Sequence, residues 1–212
     1  WTSKNLSSNQ GFKSTILGNL KNINYEAKNE EIYKEEFTSE LFGALGVLSS
    51  LKLEKKNNNL NHFLTPKILI RYSPGSMRKE TDGIKLDPLN AFGLNRISNL
   101  NNYETGLSTT IGFDYDVKDK NKKTNFDFSV AQIINEKENK KMASKTSMDE
   151  KISDLVGSAS YKLSERIKLN YNFNVDQNYQ EINYNELGTS IDFDPMKISF
   201  NYLQEDKHIG NQ

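Results

Sequence analysis

Ile167-Lys168-Leu169-Asn170-Tyr171-Asn172-Phe173-Asn174-Val175-Asp176 has the clearest β-strand pattern in the chain. Apolar and polar side chains alternate along it without a break, and in a β-strand successive side chains point to opposite faces. The run matches the ~9–11 residues that a tilted strand needs to cross a bilayer, whereas strands of soluble proteins usually have ~5–6 residues. The stretch therefore predicts a strand with hydrocarbon on one side and water on the other.

Similar alternation recurs along the chain, with turn-forming residues between the runs. The run from 36 to 53 could also form an amphipathic helix, because Leu41, Leu45 and Leu48 have helical spacing, but Gly43 and Gly46 disfavour a helix. We predict a strand there. In all, ten strands are predicted, near residues 2–8, 11–24, 36–53, 60–72, 103–117, 125–135, 151–163, 166–177, 183–194 and 196–206.

The connections between these runs are alternately short and long. The short ones fall at 8–10, 55–59, 118–124, 164–165 and 194–195, and the long ones at 25–35, 73–102, 136–150 and 177–181. In an up-and-down meander every second connection lies at the same end, so one end is tight and the other is elaborated, as in outer-membrane barrels. The sequence predicts an all-β, antiparallel up-and-down meander forming part of a large transmembrane outer-membrane β-barrel. A soluble meander or sandwich is the alternative.

Composition excludes several classes of protein. The 212 residues carry 28 basic and 28 acidic side chains, so the zero net charge gives no broad attraction to nucleic acid. The mean hydropathy is −0.75, and no run approaches the ~18–20 apolar residues of a membrane-spanning helix. The 10 Tyr and 11 Phe residues, mostly in alternating runs, argue against disorder. Cysteine is absent, which excludes disulfides and thiolate metal sites within the sequence.

No motif indicates catalysis, a cofactor or a metal. His62 and His208 are isolated, no carboxylate pair has an acid–base arrangement, and phosphate loops and nucleophile elbows are missing. Asp114 and Asp116 would lie side by side on a polar face, where they could bind a cation or hydrate the wall. The polar side chains predicted to face the lumen are Ser108, Thr110, Asp114, Asp116, Lys168, Asn170, Asn172 and Asn174.

Four segments form a recognisable series: Leu64-Thr65-Pro66-Lys67-Ile68-Leu69-Ile70-Arg71-Tyr72-Ser73-Pro74-Gly75, Asp87-Pro88-Leu89-Asn90-Ala91-Phe92-Gly93-Leu94-Asn95-Arg96, Tyr103-Glu104-Thr105-Gly106-Leu107 and Phe126-Asp127-Phe128-Ser129-Val130-Ala131-Gln132-Ile133. These segments resemble the LptD family of outer-membrane lipopolysaccharide (LPS)-assembly proteins. The second resembles the family's long-loop element, so Asn90, Phe92, Asn95 and Arg96 are predicted to form an extracellular-loop motif. This chain has Asn101-Asn102 where the family usually has an aspartate-arginine pair.

The resemblance implies a location and a function. Proteins of this family have a periplasmic jellyroll that receives LPS, followed by a very large barrel in the Gram-negative outer membrane. The lipoprotein LptE plugs this barrel. They insert LPS into the outer leaflet, with lipid A leaving between the first and last strands. The implied partners are an LptE-like plug, LPS, outer-membrane lipid and, through the jellyroll, the periplasmic LPS-bridge proteins.

With about ten strands, residues 1–212 are expected to be one segment, the middle of such a barrel, without the jellyroll and the C-terminal strands. A generic porin and a soluble β-sheet binding module are the alternative functions. The porin would share the architecture but not the substrate. The binding module would need a second sheet that protects the alternate apolar residues.

Overall fold

The structure, a computed structural model, describes residues 1–8, 11–29, 33–57, 59–80, 85–121 and 123–206. Strands account for most of these residues. The strands are β1 (Leu6–Ser7), β2 (Phe12–Ala27), β3 (Glu36–Leu51), β4 (Leu53–Lys56), β5 (Leu60–Ser73), β6 (Gly106–Asp119), β7 (Thr124–Asn135), β8 (Leu155–Lys162), β9 (Ile167–Val175), β10 (Ile182–Phe193) and β11 (Met196–Glu205). Two short 3₁₀ helices, Asn90–Phe92 and Ser144–Thr146, lie in connections.

All eleven strands belong to one antiparallel sheet. Its order is β1-β2-β3-β5-β6-β7-β8-β9-β10-β11, with β4 paired to β5, so each strand lies beside its neighbour in sequence except that β3 and β4 both pair with β5. The predicted all-β up-and-down meander is confirmed, and the run from 36 to 53 is a strand and not a helix. Among the described residues, no helix has the length and apolar character to cross a membrane.

The structure divides one predicted strand. Ser50 opposes Lys67, and Leu53 opposes Leu64, so β4 continues β3 along β5 in the same register after a short interruption. Pro66 lies on β5 at the interruption, where it lacks the N–H that a ladder hydrogen bond needs. At the N-terminus, the predicted strand near 2–8 shortens to β1 and one isolated bridge between Thr2 and Leu17.

The predicted tight and elaborated ends are present in the described part of the chain. Residues 163–166 and 194–195 form short turns at one end, which we call the tight end. At the opposite end, the loop end, residues 74–80 and 85–105 form the described part of the long loop, and residues 136–154 form the second loop. Parts of the predicted connections near residues 9–10, 30–32, 58, 81–84 and 122 lie outside the described residues, as does His208.

The register gives the sheet two chemically different faces. Rows of opposed residues such as Val47–Ile70–Thr109–Ile134 share one face, which we call the apolar face. Its side chains are exposed: Leu20 at 80%, Ile70 at 51% and Phe200 at 65%. Aromatic rings meet on it, with centroids 5.9 Å apart for Phe113 and Phe128. An extended, exposed apolar surface is uncommon on a soluble monomer and marks contact with a membrane or partner.

The hydrophobic core lies against the opposite face, which we call the polar face. There the long loop and the second loop cover apolar side chains at the loop end of β7 and β8. The members of this cluster are Met77, Leu86, Ala91, Ile97, Ala131, Ile133, Met142, Met148 and Val156. The loops therefore shield the polar face at the loop end and leave the apolar face uncovered, which is the reverse of a soluble one-layer sheet.

Candidate functional site

The long loop crosses the polar face from one side of the sheet to the other. On β2, Lys21 Nζ donates to the carbonyl oxygens of Asn99, at 3.3 Å, and Asn102, at 3.1 Å. Near the opposite edge, Lys85 Nζ donates to the Tyr184 hydroxyl of β10 at 2.7 Å. The loop thus bridges strands that are far apart in the sheet.

A buried ionic triad fixes the centre of the long loop. The Glu104 carboxylate accepts from Arg71 Nη1 of β5 at 3.1 Å and from Arg96 Nε at 2.8 Å, and Arg96 Nη2 contacts it as well. The backbone of Glu104 also binds an arginine, since Arg71 Nη2 donates to the Glu104 carbonyl oxygen at 2.7 Å. All three side chains are almost fully buried. One carboxylate is therefore held between two guanidinium groups and ties the loop to β5.

The charges of this triad do not balance. Two cations share one anion, and in the described part of the chain neither Arg71 Nε nor Arg96 Nη1 has a hydrogen-bond partner. Burial alone would raise the pKa of the Glu104 carboxyl, but Arg96 and Arg71 outweigh it and hold the pKa below its usual range. Glu104 is therefore ionised at neutral pH.

The lowered pKa of Glu104 predicts how the loop responds to acid. A carboxyl whose pKa is lower in the folded state contributes stability above its unfolded pKa of about 4.3. That contribution is lost as the pH falls through the folded value. We expect the long loop to become protease-sensitive in acid, below about pH 4. Limited proteolysis across a pH series would measure this, with E104Q showing no such transition; equal pH profiles would contradict it.

Further contacts fasten the loop to β2 and β3. Arg78 forms an ion pair with Glu40 of β3, and its guanidinium lies 4.8 Å from the ring centroid of Tyr25. Buried Asn102 accepts from the Arg78 N–H at 3.0 Å and donates to Glu80 Oε2 at 3.0 Å. Asn102 therefore organises the return of the loop toward β6.

The predicted loop motif lies on the polar face. Asn90 donates to the Lys85 carbonyl oxygen at 2.7 Å and accepts from the Asp87 N–H at 2.9 Å, which shapes the turn. Phe92 packs against the hydrophobic cluster, and Lys67 Nζ lies 4.5 Å from its ring centroid. Asn95 Oδ1 accepts from the Glu104 N–H at 2.9 Å. Through these contacts and through Arg96 in the triad, the motif holds the loop against β5 and β6.

The predicted polar side chains of β6 share the polar face. Two at the loop end contact the long loop: Ser108 Oγ accepts from Arg96 Nη2 at 3.0 Å, and Thr110 Oγ1 donates to the Ala91 carbonyl oxygen at 2.9 Å. Toward the tight end, Asp114 forms an ion pair with Lys67 at 2.8 Å. Asp116 opposes Asp127 of β7. No cluster in the described residues has three or more His, Cys, Asp or Glu side chains placed for a metal ion.

The predicted polar side chains of β9 form the continuation of the polar face. Asn172 Nδ2 donates to Glu186 Oε2 of β10 at 3.0 Å, and Asn174 is buried. Lys168 opposes Ser190, and Asn170 opposes Gly188. Beyond the loops, this part of the face presents amides, hydroxyls and charges on adjacent strands.

The interpretation of the sequence missed Arg71, Glu104, Lys21 and Lys85 as site residues. Arg71 carried a signal, because it is a single cation in the apolar run from Ile68 to Tyr72. Its partner is 33 residues away, so the pairing follows from the tertiary fold and not from spacing.

The chain also matches a known protein family. The family model described as "LptD: LPS transport system D" matches residues 7–212. No curated protein matches the chain.

Proposed function

Because the chain belongs to the LptD family of the LPS transport system, we propose that it forms wall strands of an outer-membrane translocon that inserts LPS into the outer leaflet. The observation that carries this proposal is the orientation of the sheet. Its apolar face is exposed, and its loops cover the polar face at the loop end. Apolar side chains directed outward and polar ones directed inward are the arrangement of a barrel wall in lipid.

The two faces suit the two halves of LPS, which joins acyl chains to a saccharide. The amides and hydroxyls of β8, β9 and β10 would hydrate the saccharide within a lumen, while the apolar face meets hydrocarbon. In this proposal the eight predicted polar side chains face the lumen, and the loop end lies outside the cell. Transport breaks no bond, so it requires no catalytic group.

We further propose that the segment is one part of a larger barrel. Among the described residues, β1 pairs only with β2, and β11 pairs only with β10. An open strand edge carries unpaired backbone N–H and C=O groups, which are costly in lipid. Additional strands would pair with both edges. Domains outside the barrel would connect it to the periplasmic LPS-bridge proteins.

Exposed leucines in the long loop support a protein partner inside the barrel. Leu89 is 87% exposed and Leu100 is 79% exposed, although both belong to a loop on the face that lipid does not reach. An LptE-like lipoprotein plug would cover them. We expect L89D/L100D to weaken binding of the purified lipoprotein by about tenfold or more, because burying two carboxylates replaces an apolar contact.

The matched control for the plug is N101D, which adds charge to the same loop without removing an apolar side chain. Binding measured by pull-down with the full-length protein should be unchanged in this control. If L89D/L100D and N101D weaken binding of the lipoprotein equally, the effect would instead be a general one of negative charge in the loop.

The experiment that tests the function is depletion of the full-length gene product. We expect depletion to lower the amount of LPS at the cell surface, while the intact protein is recovered from the outer membrane and migrates differently on gels when heated. Recovery of the protein in the soluble periplasm would contradict the proposal. Normal surface LPS with altered flux of small solutes would favour the porin.

A further inference from the structure

Buried polar atoms without a partner are concentrated at the ionic triad of Arg71, Arg96 and Glu104. In the described part of the chain, four buried side-chain polar atoms have no hydrogen-bond partner, and three of them lie in or beside this triad. They are Arg71 Nε, Arg96 Nη1 and the hydroxyl oxygen of Tyr103, the residue before Glu104. Buried polar groups in native proteins are nearly always paired, so each exception needs an explanation. One cause at the triad would explain all three.

The triad also holds a buried positive charge that nothing in it balances. Arginine stays protonated in proteins, so Arg71 and Arg96 contribute two positive charges against the single negative charge of Glu104. The arginine side chains are 1% and 0% exposed, and that of Glu104 is 4% exposed. A buried charge without a partner is strongly unfavourable. The site is therefore one negative charge short.

Neighbouring acidic groups do not supply this charge. Burial raises the pKa of the Tyr103 hydroxyl, and the opposing effect of Arg71 is smaller, so the hydroxyl stays protonated at neutral pH. Glu136 and Glu138 are exposed, and Glu138 is engaged by Lys140 Nζ at 3.4 Å. Among the described residues, Glu104 is thus the carboxylate on which both arginines depend.

The donors that remain at the triad suit a small ligand. Arg71 uses Nη1 and Nη2 on Glu104, which leaves the single N–H of Nε. Arg96 uses Nε on Glu104 and Nη2 on Ser108, which leaves Nη1. Phosphate and sulfate are bound best by a complete guanidinium fork, and neither arginine has one free. One missing charge and separate single donors match a small monovalent anion.

A small ion has a route to Arg71 at the loop end. A cavity of about 660 Å³ lies where the long loop meets the second loop, and Arg71, Glu104 and Ser108 contribute to its lining. Arg71 lies on the polar face of β5, so the route leads beneath the long loop and not toward the apolar face. Because the guanidinium is almost fully buried, an ion bound to it would be shielded from bulk water.

We propose that a small monovalent anion such as chloride binds at Arg71 Nε beneath the long loop and completes the charge balance of the triad. A water molecule would accept a hydrogen bond from this N–H but would leave the positive charge unbalanced. Docking of the long loop therefore depends on the anion as well as on Glu104. The inference rests on the triad and not on membrane placement or transport.

Limited proteolysis of the purified full-length protein tests whether an anion holds the loop. Cleavage between residues 74 and 105 is followed as sodium chloride replaces sodium gluconate at constant ionic strength, so that screening of surface charges stays the same. Gluconate is too bulky for the buried site. At a chloride concentration about ten times its Kd, we expect cleavage of the wild type to be about tenfold slower than in gluconate. Formate, another small monovalent anion, should also protect the loop.

Two variants distinguish the triad from the surface of the cavity. R71M removes the Nε donor and the excess charge together and leaves the pair of Arg96 and Glu104, so cleavage should no longer respond to chloride. K137Q is the matched control, because Lys137 is an exposed cation in the lining of the same cavity. K137Q should respond to chloride as the wild type does.

Bromide locates the anion directly, even if R71M does not fold. Crystals of the wild-type protein soaked in sodium bromide should show anomalous density beside Arg71 Nε. The proposal is wrong if the wild type is cleaved equally in chloride and gluconate, if K137Q abolishes the response, if folded R71M keeps it, or if no anomalous density lies beside Arg71. None of these results bears on transport, which depletion of the gene product measures separately.

Discussion

E104Q is expected to release the long loop, reducing the free energy that holds it on the polar face by about 3–5 kcal/mol. Glu104 is the sole carboxylate that contacts both Arg71 and Arg96 among the described residues, and all three side chains are almost fully buried. Its loss would leave two cations without a counter-charge in a site with little water. Limited proteolysis between residues 74 and 105 would detect the release.

E136Q is the matched control for E104Q, because Glu136 is an exposed carboxylate at the same end of the sheet. Exposed substitutions of this kind usually change stability by less than about 0.5 kcal/mol. The triple variant E104Q/R71M/R96M should recover much of the loss, since apolar replacement of a complete buried ionic group is often tolerated. Wild-type protease resistance in E104Q would show that the triad does not hold the loop.

Y171K is expected to destabilise the membrane-inserted protein by about 2–4 kcal/mol, the cost of a lysine on the lipid-facing side of a barrel near the bilayer midplane. Tyr171 is near the centre of β9 on the apolar face, opposite Leu187 of β10 and Ala159 of β8. Lysine at this position would place an ammonium group in hydrocarbon. Urea titration of the full-length protein folded into lipid vesicles measures the difference.

N170K is the control for Y171K, because it puts the same side chain on the adjacent residue and therefore on the opposite face. Asn170 opposes Gly188 and Ser160 in a polar row, so we expect a small effect. Equal destabilisation by the two variants, or a larger effect of N170K, would place water on the apolar face and remove the basis of the proposed function.

The strands were predictable because their signal is local. Alternation from Ile167 to Val175 requires only neighbouring residues, and the structure has β9 over that range. The sorting into short and long connections likewise follows from the order of elements in an up-and-down sheet. The division of β3 from β4 was not predicted, because it depends on where Pro66 meets the facing strand.

The candidate site was predictable only in part. The alternation of apolar and polar residues placed Ser108 and Thr110 on one face, but it did not show that a loop covers them. The roles of Arg71, Glu104 and Lys85 depend on contacts between residues that are distant in sequence, and the spacing of residues along the chain does not specify such contacts. The resemblance identified Asn90, Phe92, Asn95 and Arg96 as a motif, and the contacts with β5 and β6 explain why the loop uses these residue types.

The reach of the long loop has a consequence for the order of assembly. Lys85 contacts Tyr184, which follows it by 99 residues, whereas each hairpin joins neighbours in sequence. Distant contacts form late, because the intervening chain must first be ordered. The loop can therefore reach its final position only after β10 has paired. Docking of the loop would then indicate that the wall has acquired its curvature. In a chain stalled before β10, the loop would remain accessible to proteases.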